Sequence, residues 1–215
     1  MKLNELNNLK LNKAVAYIVG LSFPLFKTIT IDNHHYMIGS VNHNPDKIDY
    51  ADLSAHYLSI LELFKECFCE NIEILSNQND KKNINLKTGF SILINIDGLT
   101  DEQSLQILSS ITNKILKASE EIKKEFVKAC FDGRSSWDTT AHYISLDVDR
   151  NYEKQDLIKT IIESFGIGVN INRRSIDHEK NDQIRIKKDS VEKFITNIGL
   201  YSICRMKIIQ KGMNK

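Results

Sequence analysis

The feature that most constrains this chain is that it repeats itself. His35-Tyr36, Val41 and Asn44 match His142-Tyr143, Val148 and Asn151, four identities at one offset of 107 residues. Each match sits in a strand-like segment that follows an apolar helical run and precedes another helix. Periodicity predicts helix (12–23), strands (26–32 and 35–43), helix (51–68), strands (71–77 and 83–96) and helix (101–119) in the first half. The second half reads helix (120–132), strands (135–139 and 141–149), helix (153–165), strands (168–174 and 182–187) and helices (189–198 and 200–212). Both halves, 1–119 and 120–215, therefore have the order αββαββα. Two such units pair most economically as a duplicated α+β fold with antiparallel sheets.

Strand alternation carries the first functional signal. In HYISLDVD, Ile144, Leu146 and Val148 face one way and Tyr143, Ser145, Asp147 and Asp149 the other. In VNINRR, Val169 and Ile171 oppose Asn170, Asn172 and Arg174; in DQIRIKK, Ile184 and Ile186 oppose Gln183, Arg185 and Lys187. One face of this sheet is thus aliphatic. The other is rich in the side chains that bond both phosphates and base edges, or it is simply the solvated side of a half-buried sheet.

The stretch Phe126–Trp137, FVKACFDGRSSW, reads as an amphipathic helix ending in an Asp-Gly turn, with Ala129 and Cys130 small enough to admit a second helix. It resembles the second motif of the LAGLIDADG homing-endonuclease family. The run LIKTIIESFGIGVNINRR is similar to that family's second helix, glycine turn and third strand. FITNIGLYSICRMKII, with Phe194, Ile198, Gly199 and Lys207, resembles its closing segment. The first half matches more loosely: AYIVGLSFPLF (Ala16–Phe26) keeps Tyr17, Gly20 and Leu21. The resemblance implies a single chain of two repeats, the first degenerate, packed about a pseudo-two-fold axis, with antiparallel sheets forming a DNA-binding saddle.

In that family each motif helix presents an acid to a divalent ion at the DNA backbone. Carried over position by position, those acids fall on Leu25 and Arg134. Leucine cannot ligate and an arginine repels a metal, so the standard nuclease site is expected to be lost. Asp132 matches the earlier acid of the motif and reads as a turn residue, or as the catalytic acid with Mg if activity remains. Arg134 reads either as a DNA-backbone contact or as a surface arginine.

Composition narrows the classes. With 215 residues, 41% hydrophobic and 27% charged, the chain can build a real core and resembles ordinary soluble proteins. No window approaches the roughly eighteen apolar residues of a membrane span, and MKLNELNNLKLNK lacks a signal peptide's apolar centre. A cytoplasmic location without membrane partners is expected. Cys67, Cys69, Cys130 and Cys204 lack zinc-site spacing and read as buried thiols. Gly166-Ile-Gly168 suits a helix stop rather than a phosphate loop. The net charge of +1 hides 11 basic against 14 acidic side chains in 1–120 and 18 against 14 in 121–215, where all six arginines lie. That asymmetry fits an anionic partner on the second half.

The expected function is site-preferring binding of duplex DNA by a monomer, with no cofactor needed. The expected contacts are Asn170, Asn172, Arg173, Arg174, Gln183, Arg185, Lys187 and Arg134, with Lys27, Thr28, Thr30, Ser40, Asn42, Asn85 and Lys87 in the first half. The chain would suit the recognition part of a restriction or related system, alongside a separate nuclease or NTPase partner. The rivals are an active Mg-dependent endonuclease using Asp132 with a further acid such as Asp138, Asp147 or Asp149, an RNA-binding splicing helper, and a plain interaction protein.

Overall fold

A computed structural model describes residues 1–43, 49–67, 74–76, 89–175 and 177–214. Two helices at the centre organise it. α2 (Lys13–Ser22) is capped by Asn12, whose side chain accepts from Val15 N, and every residue from Ala14 to Ser22 is buried. A helix apolar on all sides is one enclosed on all sides. Its partner is α5 (Glu120–Arg134), which has Glu120 and Glu121 in its first turn and Arg134 in its last, matching the helix dipole at both ends. The two helices touch at Gly20, where a Cβ would lie 2.4 Å from Phe126 O and 2.7 Å from the Ala129 Cβ. Only glycine permits that approach.

Around this pair stand two four-stranded antiparallel sheets of the same order. The first is β1 (Thr28–Ile31), β2 (His34–Asn42), β4 (Gly89–Asn95) and β3 (Ile74–Ser76); the second is β5 (Ser135–Asp138), β6 (Tyr143–Val148), β8 (Asp182–Ile186) and β7 (Val169–Asn172). Thr28 pairs with Met37 and Trp137 with Ile144, so β1 maps onto β5 at an offset of 109 residues but β2 onto β6 at 107. The hairpins absorb the difference. The first closes through Asp32 and Asn33, both at positive φ, as a two-residue turn, whereas the second uses 139–142 and ends two pairs earlier. Asn44, the fourth identity of the repeat, lies outside the described residues.

Helices cover one side of each sheet: α3 (Tyr50–Cys67) and α4 (Asp101–Leu116) in the first half, α6 (Tyr152–Glu163), α7 (Val191–Asn197) and α8 (Ile203–Met213) in the second. Thr100 and Gln103 form a reciprocal cap on α4, and Asn151 and Ser202 cap α6 and α8. Buried residues from both halves form a single core. Gly166, at positive φ, follows α6 as a helix stop. Cys130 and Cys204 are buried and Cys67 half-buried, all as free thiols; Cys69 lies outside the described residues. No helix among the described residues is long and apolar enough to cross a membrane.

Four local readings of the sequence are corrected. α1 (Leu3–Asn8) was not anticipated; it buries Leu3 and Leu6. The expected helix 189–198 begins as a 3-10 turn at Lys188–Ser190, and the one expected from 200 starts at Ile203 because Ser202 caps it. The Asp-Gly turn at 132–133 does not exist: α5 runs through to Arg134 and β5 begins at the next residue. Of the strands expected at 71–77 and 83–96, residues 71–73, 77 and 83–88 lie outside the described residues.

Candidate nucleic-acid interface

Paired strands put opposite residues on the same face. On the second sheet Ile144, Leu146, Val148, Ile184 and Ile186 point into the core and are fully buried. Across the open face, Ser145 lies opposite Arg185 and Asp147 opposite Gln183, with Asn170 beyond Arg185 and Asn172 beyond Gln183. These groups are tied together. The Arg185 guanidinium lies 4.7 Å from the Tyr143 ring centre and donates twice to Gln183 Oε1, at 3.2 and 3.0 Å. Gln183 Nε2 donates in turn to Asp147 Oδ1 at 3.1 Å. Of the five N–H groups of a guanidinium, two are engaged, which leaves donors for an external acceptor. The face is a held row of donors and acceptors.

At the midline the ends of α2 and α5 meet the sheets of the opposite halves. Pro24 O accepts from Asp149 N at 2.8 Å, and Phe26 N donates to Asp149 Oδ2 at 3.2 Å. From the other side Arg205, on α8, donates to the carbonyls of Asn42 (2.6 Å), Asp132 (2.9 Å), Gly133 (3.2 Å) and Ser135. Burial lowers the Arg205 pKa to about 10, so it stays charged at neutral pH. Asp132 is fully buried beneath it. Its carboxyl accepts from Ser202 N (2.9 Å), Tyr201 N (3.3 Å) and the Tyr17 hydroxyl (3.1 Å). Burial pushes its pKa up to about 7, against the bonds from Ser202 and Tyr201 and the nearby Arg205. His56 Nε2 lies 3.1 Å from the Tyr17 hydroxyl, and burial lowers the pKa of this imidazole to about 3, so it is neutral.

The two positions that would carry metal-binding acids look quite different. Leu25 is buried at 6% exposure. Arg134 is half-buried; desolvation lowers its pKa, while Asp147 and Asp149 act in the opposite direction. Among the described residues Arg134 makes no hydrogen bond or ion pair, and no group of three or more acidic, His or Cys side chains could hold a metal ion. Asp149 is engaged by Lys154 Nζ as well as Phe26 N. Asp132, with no exposed surface and three donors already bonded, holds two backbone amides and a tyrosine in place.

The residues expected to contact DNA divide as follows. Asn170, Asn172, Gln183, Arg185 and Lys187 lie on the open face of the second sheet. Arg174 follows in the same parity, although its Nε is buried and unpaired. Arg173 turns the other way: it lies over the Tyr152 ring at 4.4 Å and bonds Gln155 and Asp156 of α6. In the first sheet Lys27, opposite Ile38, is exposed on the open face. Thr28 and Thr30 pair with Met37 and His35 and so point to the helix side. Ser40 is on the open face but buried, bonded to Ser91 Oγ at 3.0 Å. Asn42 is half-buried with Oδ1 unpaired. Asn85 and Lys87 lie outside the described residues.

What the sequence reading missed is the makeup of the first open face and the cluster beneath α5. The cluster joins Tyr17, His56, Tyr201, Ser202 and Arg205, which are far apart in sequence, and no local pattern signals it. The closing segment of the repeat has structural roles: Phe194 packs on Phe131 at 4.7 Å between ring centres, and Lys207 pairs with Asp52 at 2.7 Å.

No protein-family model and no curated protein matches this sequence. Solved structures do match. The homing endonuclease I-DmoI, in a crystal structure with DNA and Mn, aligns with a TM-score of 0.53 at 13% identity, over 88% of this chain and 98% of its own. The N-terminal LAGLIDADG domain of DUF199/WhiA aligns with a TM-score of 0.50 at 15% identity, over 92% and 89% respectively. Full-length DUF199/WhiA from Thermatoga maritima gives 0.52 at 14% identity, over 99% of this chain but 64% of that one. At these identities the likeness is one of fold. The chain has a LAGLIDADG-like fold, α+β, with two antiparallel sheets forming the saddle.

Proposed function

We propose that the protein binds duplex DNA in its saddle, with sequence preference, and that its two metal-binding positions no longer serve cleavage. Residues 1–119 and 120–215 are its two repeats on this reading. The observation that carries it is the bonded row Tyr143–Arg185–Gln183–Asp147, flanked by Asn170, Asn172 and Lys187 on one exposed sheet face. A sheet face with such donors and acceptors suits the major groove, where guanine takes a bidentate arginine and adenine an amide. I-DmoI, similar in fold, was crystallised with DNA, which supports the same partner here. The buried Leu25 and the cationic Arg134 support the loss of cleavage. In the cytoplasm such a protein would serve as the recognition module of a restriction or related system, with cutting done by a separate nuclease or NTPase partner.

Fluorescence anisotropy against a random duplex pool, with and without EDTA, tests the reading. Binding should survive EDTA and weaken steeply with salt as phosphate contacts release counterions. Mg-dependent nicking of plasmid DNA that disappears in Asp147→Asn would overturn it in favour of an active nuclease. Preference for structured RNA over duplex at fixed salt would favour the splicing-helper alternative.

A further inference from the structure

The open face of the first sheet has the opposite chemistry to that of the second. Register puts Ile29 beside Tyr36, Ile38 opposite Leu93, and Ile31 on the same side two residues beyond Ile29. All five are partly exposed and lie outside the buried core cluster. Among the described residues Ser40 and Ser91 bond each other, Asn95 directs its Nδ2 to Asp97 Oδ2 and accepts from Asp97 N at its Oδ1, and His34, opposite Ile31 and edge-on to Tyr36, bonds Asp97 Oδ2 through Nδ1. What remains to face a ligand among the described residues is mainly aliphatic and aromatic, with the Tyr36 hydroxyl, the outer nitrogen of His34 and Lys27 as its polar groups.

We infer that this face reads thymine methyl groups, so that the half-site it covers is selected by apolar contact rather than by hydrogen bonds. The inference rests on the DNA-binding reading above and deepens it. Two observations favour duplex DNA over a protein as the occupant, and groove chemistry then favours thymine among the bases. The apolar face continues the polar one: Pro24 joins Asp149, and Arg205 joins Asn42 to Ser135, across the seam. A ligand lying along the saddle therefore meets both. Side chains two residues apart on a strand are about 6.8 Å apart, close to two base-pair steps of roughly 3.4 Å, so Ile29/Ile31 and Tyr36/Ile38 match alternate pairs. Finally, the C5-methyl is the one apolar group in the major groove and only thymine presents it. An aliphatic side chain pressed on guanine O6 and N7 or cytosine N4 would instead strip water from groups left unbonded.

The test uses the DNA as the variable, so no protein variant has to survive for it to speak. Preferred sites are first selected from a random duplex pool. Each thymine is then replaced in turn by deoxyuridine, which removes only the methyl, and each cytosine by 5-methylcytosine, which adds it. In one half-site only, each uracil should weaken binding roughly fourfold, the effect of one buried methyl-sized group, and 5-methylcytosine should substitute in part for thymine. Ile38→Ala, at a partly exposed position, should erase the uracil effect at one or two adjacent pairs and leave the other half-site unchanged. DNA that binds equally well with uracil throughout overturns the inference while leaving DNA binding intact. So does a uracil effect unchanged by both Ile38→Ala and Ile29→Ala. Failure to bind any duplex overturns the functional reading itself, and this inference with it.

Discussion

Replacing Asp132 with alanine separates an architectural carboxylate from a catalytic one. The variant strips the partner from the amides of Tyr201 and Ser202, whereas the Tyr17 hydroxyl keeps His56 Nε2 at 3.1 Å. Two buried unpaired donors, at about 1–3 kcal/mol each, make the loss about 2–6 kcal/mol at pH 5. The loss should shrink as pH rises. The folded carboxyl holds its proton up to about pH 7, whereas the ordinary value is 3.8. Between these values the native state binds a proton that the unfolded state has released. The group's contribution is therefore full below the unfolded pKa and is lost as pH climbs towards 7, at about 1.4 kcal/mol per unit. Alanine carries no such term. From pH 5 to pH 7.5 the gap between parent and variant should close by about 2–3 kcal/mol, the slope halving at the folded pKa. Urea unfolding of both proteins at pH 5 and pH 7.5 measures it. A gap that widens with pH would mean that the site stabilises the anion and that burial does not dominate. A variant as stable as the parent that has lost a DNA-cleaving activity would refute the architectural role altogether.

Gly20→Val should destabilise the protein by on the order of 3 kcal/mol through overpacking, measured by thermal or urea unfolding, because the added atoms collide with Phe126 O and Ala129. Arg185→Ala should weaken binding to the preferred duplex by about 1–3 kcal/mol and relax selectivity at one position. Lys187→Ala should weaken all sequences alike and reduce the salt slope by about one unit, both read by anisotropy titrations. Arg173→Ala should leave DNA affinity unchanged, since that side chain packs on α6. Arg134→Glu gathers a third acid beside Asp147 and Asp149 at a helix C-terminus, so Mn should raise the melting temperature of that variant and not of the parent. At one hundred times the dissociation constant the ion would add about 2.7 kcal/mol.

The strands show where sequence was enough and where it was not. In HYISLDVD every apolar residue has one parity, so the face of β6 could be read directly. In β2, HHYMIGSVN, both parities are apolar: Met37, Gly39 and Val41 go inward while Tyr36 and Ile38 go outward. Polarity alone then placed Thr28 and Thr30 on the open face, but the Asp32–Asn33 turn fixes a register that puts them opposite Met37 and His35. A one-residue difference decides everything on a strand. Arg173 and Arg174 illustrate it, adjacent in sequence and on opposite faces. Asp132 failed differently: Asp-Gly is good local turn chemistry, but its partners lie 69 and 70 residues on, at Tyr201 and Ser202. The motif helices were legible because their apolar and small residues are all needed at one close contact.

That contact also explains how the helix pair can close whatever residues stand at its ends. The family motif asks two things of one segment: a close helix crossing and an acid at each helix end. Here the first demand is met by Gly20 against Ala129, and the ends are put to other use. Phe23 is buried, its ring 6.3 Å from that of Phe126 and 5.1 Å from Lys154 Nζ. Its counterpart in the second helix, Asp132, gathers the backbone of Tyr201 and Ser202, and Arg205 gathers four carbonyls from both halves. An arginine at position 134 suits the negative end of α5 and lies in the field of Asp147 and Asp149 without pairing with either. Hydrogen bonds to Asp132, to Asp149 and from Arg205 link the two halves at the seam, so the DNA binding proposed for the sheets should survive removal of divalent ions by EDTA.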